Sequence, residues 1–326
     1  MVDLEGNSKT GKLFTLKNIL IKSSGVLIFI VLWEIAPRLG WADKQFVPSF
    51  SEVSNELIRL LARGDLTMHI MVSLWRVLVG LIVASLIAIP LGFILSKSCP
   101  FLIEILNPML RFLSQANPFT LGPIFILFFG VGELVKVSMI AWACIWPILF
   151  NVITGIKVVD PALERSARTL NISPFQNFIK IQLPSVGPWI YTGLSTGVEI
   201  SFFMVVAAEM IGTSAGLGWL VHNAGMNNKI VWIYSAAVLI IALGVFIKWF
   251  LRYTYDRLFF WKTNTDFYSE DKEHKRFDKS EVIFIIFMIV VILGFGAQQI
   301  KRADYVSKNM GAHDHMELYK GTGDFQ

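Results

Sequence analysis

The chain has 326 residues, of which 54% are hydrophobic and 16% charged, and its mean hydropathy is +0.59. Soluble domains carry about 25% charged residues, so this composition excludes a globule covered by its own polar surface and predicts an all-α, polytopic transmembrane helical bundle. The net charge of +5 does not point to nucleic acid, because the basic residues lie between apolar segments and form no single stripe.

Residues 1–23 form a polar, basic tail carrying Lys9, Lys12, Lys17 and Lys22. Within it, "GNSKTGKL" approaches a phosphate-binding loop. Leu13 stands where a magnesium-holding Ser or Thr is needed and no strand precedes it, so a solvated tail is expected and no nucleotide. No small-residue cleavage site follows "LIFIVLWEIAPRLG", which reads as a retained helix over 24–39. Residues 50–63, "FSEVSNELIRLLAR", have apolar positions at helical spacing; they form either an amphipathic helix lying at the interface or a plain connector.

Further apolar segments span 70–95, 101–129, 134–156, 186–211, 230–260 and 282–299. The one at 101–129 is interrupted by Asn107-Pro108 and Asn117-Pro118 and is expected to be kinked or partly re-entrant. Counted as one span, it gives six helices in 24–262 and a possible seventh after them. Lys and Arg gather before the first span, at Lys97, through 157–180 and through 248–262, whereas the alternate loops, around 40–66, 130–133 and 212–229, show no comparable excess. The positive-inside rule therefore places the N-terminus and residues 157–184 in the cytoplasm.

Charged and polar groups inside spans are functional candidates, because a charge at the centre of a membrane helix costs about 2.5–3.5 kcal/mol on insertion scales. Arg76, Arg111, Glu199 and Glu209 stand out. Arg111, Gln115 and Asn117 beside the broken segment, with Glu199 and Glu209, are candidates for a translocation pathway suited to an anion. The competing reading is an interhelical salt bridge, for example Arg111 with Glu209 or Glu199. Gly193 and Gly197 form a G-x-x-x-G pair that permits close helix approach, and "GTSAGLGWL" reads as an external loop, either able to gate or to meet a partner or equally a plain flexible connection.

The polar island "LERSARTLNISPFQNFIKIQLP", 163–184, interrupts this pattern. Asp160 is placed as an N-cap, Pro161 in the first turn, and Leu163, Ala167 and Leu170 on one face. Asn171 sits where a left-handed helix stop is needed, and Ser173-Pro174 starts a second amphipathic segment stopped by Pro184. Two short helices with a bend could plug into a groove on another protein; an ordinary loop lying on the membrane is equally consistent with the pattern.

Catalysis finds no foothold: there is no His/Cys/Asp cluster at metal spacing and no Gly-x-Ser-x-Gly elbow. Cys99 and Cys144 suggest neither disulfide nor metal. The chain is expected to be a non-enzyme that binds no metal or cofactor of its own. After residue 262 come a charged linker, 263–281, an additional hydrophobic helix, 282–300, and a polar tail, 301–326, in which His313 and His315 are read as tail residues.

The order Ala167, Asn171, Ile181-x-Leu183-Pro184 resembles the EAA loop of ABC importer permeases. "VPSFSEV", "SLWRVLVGLIVASLIAIPLG", "NPMLRFLSQANPFTLGPIFILFFGVGELVK" and "VVAAEMIGTSAGLGWLVHNAG" are similar to the nitrate/sulfonate/taurine/bicarbonate branch of that family, over about 30–262. The resemblance implies a type I ABC importer permease fold in the inner (plasma) membrane. It also implies a second permease copy in a homodimer, cytoplasmic ABC ATPase subunits that bind ATP and Mg, and an external substrate-binding protein. The ATPase-coupling residues it implies are Glu164, Arg165, Ala167, Leu170, Asn171, Ile181, Leu183 and Pro184, in a coupling loop 160–184. Arg165 and Asn171 depart from the family's glutamate and glycine, Ser166 replaces an alanine, and Ser195 stands where an arginine is usual. The expected function is alternating-access import of a small anion or organic anion; the alternative is a membrane scaffold that anchors a cytoplasmic ATPase or assembly complex through the same loop.

Overall fold

The computed structural model describes residues 24–98, 100–259 and 287–301, and among these all regular secondary structure is helical. The tail 1–23, the linker 263–281, the chain beyond Lys301 and Cys99 lie outside the described residues. The first helix, α1, covers 24–38 and is followed by α2 (Phe50–Arg63), α3 (Asp65–Phe93), α4 (Pro100–Ser114), α5 (Gly122–Phe129) and α6 (Glu133–Val158). Two short helices, α7 (Pro161–Thr169) and α8 (Pro174–Asn177), lead to α9 (Leu183–Glu209), α10 (Leu217–Met226), α11 (Ile230–Leu258) and α12 (Phe287–Lys301). Among the described residues, four stretches are long and apolar enough to cross a membrane: Leu66–Ser96, Glu133–Val158, Pro174–Glu209 and Ile230–Tyr255.

Local chemistry sets the boundaries of α2. Ser49 accepts from the Glu52 amide while Glu52 accepts from the Ser49 amide at 3.0 Å, closing a capping box, and Gly64 ends the helix at φ 82°. Ser51 donates from both backbone and hydroxyl to Glu34 at 2.9 Å, and the Trp33 indole donates to the Pro48 carbonyl at 3.1 Å. These bonds fasten α1 to the start of α2.

The segment 101–129 is broken once, not twice. Pro108 sits inside α4 without ending it, whereas the chain leaves the helix after Ser114 and resumes at Gly122. Asn117 stabilises the interruption by accepting from the Phe119 amide at 2.9 Å, and the Trp142 indole donates to the Ala116 carbonyl at 3.3 Å. Exposed backbone within an apolar segment persists only where such partners exist.

Helix α6 is the axis of the core. Its Ile140, Cys144, Ile148, Leu149 and Val152 are buried against Ala84 and Ala88 of α3 and against Val198 and Val205 of α9. The close approach of α9 requires a small residue: a Cβ placed on Gly193 would lie 3.0 Å from the Ile148 Cα and 3.2 Å from the Pro147 carbonyl oxygen. A second cluster joins Leu60, Leu66, Leu217, Leu220, Ala236 and Leu239, which holds α2, α10 and α11 to the start of α3.

Two ends follow from the helix directions. One end gathers α7, the last turns of α3 and α6, and the first turn of α9; the other gathers α2, α10, the first turns of α3 and α6, and the end of α9. The added helix α12 lies against α3, with Gly296 facing Trp75 and Ile300 packed on Val72 and Ala215. Its C-terminal end therefore sits at the α10 end, antiparallel to α3.

Candidate functional site

Residues 160–184 are built as a capped and bent projection. The Asp160 carboxylate accepts from the Ala162 amide at 2.8 Å and starts α7. At its other end Asn171 adopts φ 52°, and the Ile172 amide donates to the Ala167 carbonyl at 3.2 Å, the six-to-one bond of a Schellman stop. Ser173 then caps α8 through the Gln176 amide.

Ala167 is buried and anchors α7, while Leu170 and Phe175 stand 73% and 72% exposed at the bend. Leu163, Ile179 and Leu183 are exposed as well. Arg165 is exposed, its Nε donating only to the Pro161 carbonyl at 3.4 Å, and the backbone of Glu164 lies in the same helix. On the opposite side Phe178 reaches into the core and meets Phe93 edge-on at 5.1 Å. The result is a foot rooted by Ala167 and Phe178 that presents an apolar tip.

One expectation about this segment fails. Pro184 does not stop the second helix; α8 continues through a widened turn at Phe178–Gln182 straight into α9. Proline lacks an N–H and collides with the carbonyl four residues earlier, and i→i+5 bonding over one turn absorbs both faults without ending the helix. Ile181, Leu183 and Pro184 thus belong to a continuous helix that joins the foot to α9.

The pathway candidates fall in three separate places. Arg111, Gln115 and Asn117 lie together on the exposed side of the break after α4. Arg111 donates from Nε to Asn107 Oδ1 at 3.0 Å, and its guanidinium carbon lies 5.9 Å from the centroid of the Phe150 ring. Glu199 pairs with Lys248 of α11 at 2.9 Å beside a groove lined by Phe202, Ile241 and Val245, both charges being substantially exposed. Glu209 is fully enclosed at the α10 end. The structure brings Arg111 to neither glutamate.

Glu209 belongs instead to a charge-balanced cluster centred on Arg76. Arg76 is 2% exposed and donates to Glu209 at 2.8 Å, to the Ala215 carbonyl at 2.8 Å, and twice to Glu133 at 2.7 Å. Lys136 donates to Glu133 at 2.6 Å. Glu209 also accepts from the Ser73 hydroxyl at 2.7 Å and the Gly218 amide at 2.9 Å, and Ser73 accepts from the Leu217 amide at 2.9 Å. His69 accepts from the Gly216 amide at 3.0 Å and stacks on Trp219. Two cations and two anions are thereby satisfied together, which is the condition under which buried charge is tolerated. The cluster ties α3, α6 and α9 to the loop before α10.

Sequence reasoning singled out Arg76 and Glu209 but not Ser73, His69, Glu133 or Lys136. Glu133 and Lys136 look like ordinary helix-start charges one turn apart, and only the placement of Arg76 between α6 and α9 turns them inward.

The family described as binding-protein-dependent transport system inner membrane component matches residues 66–259. An ABC transporter permease protein from Methanocaldococcus jannaschii is 32% identical, covering 76% of this chain and 93% of its own. The nitrate import permease protein of Synechocystis is 30% identical, covering 70% of this chain and 85% of its own. Similar permeases carry taurine, aliphatic sulfonates and bicarbonate in their names. Among solved structures, a chain of the MetNI methionine ABC transporter matches with a TM-score of 0.51 at 16% identity, over 62% of this chain and 96% of that one.

Proposed function

Since the chain belongs to the family of binding-protein-dependent transport system inner membrane components, we propose that it is the membrane-spanning subunit of an ATP-driven importer for a small anion or organic anion. Two copies enclose the passage, cytoplasmic ATPase subunits hold ATP and Mg, and an external binding protein delivers the substrate. The nitrate, bicarbonate, taurine and sulfonate named for its relatives share an anionic group, which supports this substrate class.

The observation that carries the reading is the foot at 160–184. Leu170 and Phe175 are two large apolar side chains held out at a bend by a capped helix and a left-handed asparagine. Two large apolar side chains turned away from the bundle suit a surface that fills a groove on a soluble partner. The continuous helix from Pro174 to Glu209 supplies the mechanical link. A push on the foot tilts α9 against α6 and changes which end of the passage is open, with the foot on the cytoplasmic side. The exposed Arg165 meets an ATPase surface whose charge is adapted to a cation.

The test is to isolate the tagged full chain from its native membrane in mild detergent, as wild type and as a Leu170→Asp, Phe175→Asp double variant. Both positions are exposed, so the variant is expected to fold. An ATPase that accompanies the wild type and is lost from the variant supports the reading. No ATPase with the wild type, even after crosslinking in the membrane, overturns it.

A further inference from the structure

We propose that the exposed face of α4 carrying Asn107 and Arg111, with Gln115 just past its end, is an anion-binding wall of the passage, with Arg111 as its charged contact. This rests on the reading of the chain as a transport subunit. It deepens that reading by assigning the groups that recognise the substrate inside the membrane.

Three observations converge. The first is placement. Asn107 and Arg111 stand one turn apart on α4, and Gln115 follows just past the helix end, in the turn closed by its amide on the Phe112 carbonyl; all three are exposed and form a polar ridge leading to the interruption at Asn117. Their neighbours Met109 and Phe112 are exposed and apolar. A ridge of this kind halfway along an apolar segment is costly against lipid and is tolerated against water.

The second is charge. Among the described residues no carboxylate lies within ion-pair distance of Arg111, whereas Arg76 and Lys136 are both neutralised by Glu133 and Glu209. The acid on the same face, Glu104, lies seven positions away, roughly 10 Å along the helix. The ridge therefore keeps one net positive charge per copy.

The third is orientation. Asn107 Oδ1 takes the Nε proton at 3.0 Å and the Phe150 ring flanks the guanidinium. The two terminal nitrogens remain as a fork, which matches two oxygens of a carboxylate, sulfonate, nitrate or bicarbonate group. Asn107 and Phe150 are positioning residues. A second copy facing the first across the passage supplies a second fork, so the oxyanion moves between two cationic groups.

Charge-selective cysteine labelling tests this without knowledge of the substrate. Gln115→Cys is introduced into the full chain, and fragmented native membranes, open on both faces, are treated with anionic sulfonatoethyl or cationic trimethylammonioethyl methanethiosulfonate. The chain lacking Gln115→Cys reports background from Cys99 and Cys144. With each rate divided by that for a free thiol in solution, the anionic reagent is expected to be favoured roughly tenfold over the cationic one, from attraction at this short range. The preference should vanish with Arg111→Gln and persist with Arg111→Lys, which also controls for folding. Nitrate or taurine should slow the anionic reaction.

Equal normalised rates with Arg111 present, a preference that survives Arg111→Gln, or no labelling at all would overturn the site. An ATPase retained by such a chain leaves the transport reading standing and removes only the anion wall. Charge-selective labelling with no ATPase bound supports the wall and overturns the coupling reading.

Discussion

Arg76 and Glu209 meet at 2.8 Å although they stand on different helices and neither touches water, being 2% and 0% exposed. Their contact joins α3 to α9 at the end of the bundle opposite the foot, and Glu133 and Lys136 extend it to α6. Removing one partner of a buried pair leaves an uncompensated charge, which costs about 3–5 kcal/mol. Glu209→Ala should therefore lower the unfolding temperature of the detergent-solubilised chain sharply and reduce its amount in the membrane. Glu209→Gln, which keeps the shape, should lose less. A Glu209→Ala chain that melts with the wild type would show that the cluster does not hold the helices together.

The helix stop in the foot makes a second prediction. Asn171 occupies φ 52°, a region open to glycine, tolerated by asparagine and strained for a β-branched residue by about 1–2 kcal/mol. Asn171→Gly should retain the ATPase partner. Asn171→Val should weaken co-isolation while leaving the melting of the membrane-embedded helices unchanged, because the strain is confined to the foot. Equal retention in both variants would sever the link between bend geometry and docking.

Close packing at Gly193 makes a third. A side chain there meets the backbone of Ile148 and Pro147, which cannot retreat as a flexible side chain could. Gly193→Val is expected to destabilise by about 1–3 kcal/mol, read as a lower melting temperature. Gly244, with nothing nearby, gives the control: Gly244→Ala should be neutral or slightly stabilising.

The packing of α12 predicts its sidedness. Ile300 touches Val72 and Ala215, and Gly296 faces Trp75, so Lys301 lies at the α10 end. Cysteines introduced by Lys301→Cys and Met226→Cys should react with an impermeant reagent from the same face of sealed vesicles, and one introduced by Leu170→Cys from the other. Lys301 labelled with Leu170 would mean that α12 does not run antiparallel to α3.

Composition and periodicity by themselves determined that the chain is a helical membrane bundle, where its main spans lie, and that 160–184 is a capped element bent by αL geometry at Asn171. Those features rest on local rules: apolar length, side chains that bond their own backbone, and residues that tolerate particular φ values. The EAA-like pattern, with the order and spacing of the similar stretches over about 30–262, carried the family as well. The sequence did not show that Pro184 would be carried through a widened turn, because that outcome depends on α9 being gripped by α6 along its length. Nor did it pair the charges. Arg76, Glu133 and Glu209 lie far apart along the chain, and Arg111 offered an equally good partner on charge alone. Only the packing of α3, α6 and α9 decided the matter, since it encloses Arg76 among two carboxylates and leaves Arg111 on an open face with Asn107. Coulomb attraction carries no sequence address; the tertiary fold supplies one by fixing which charges share a dry site.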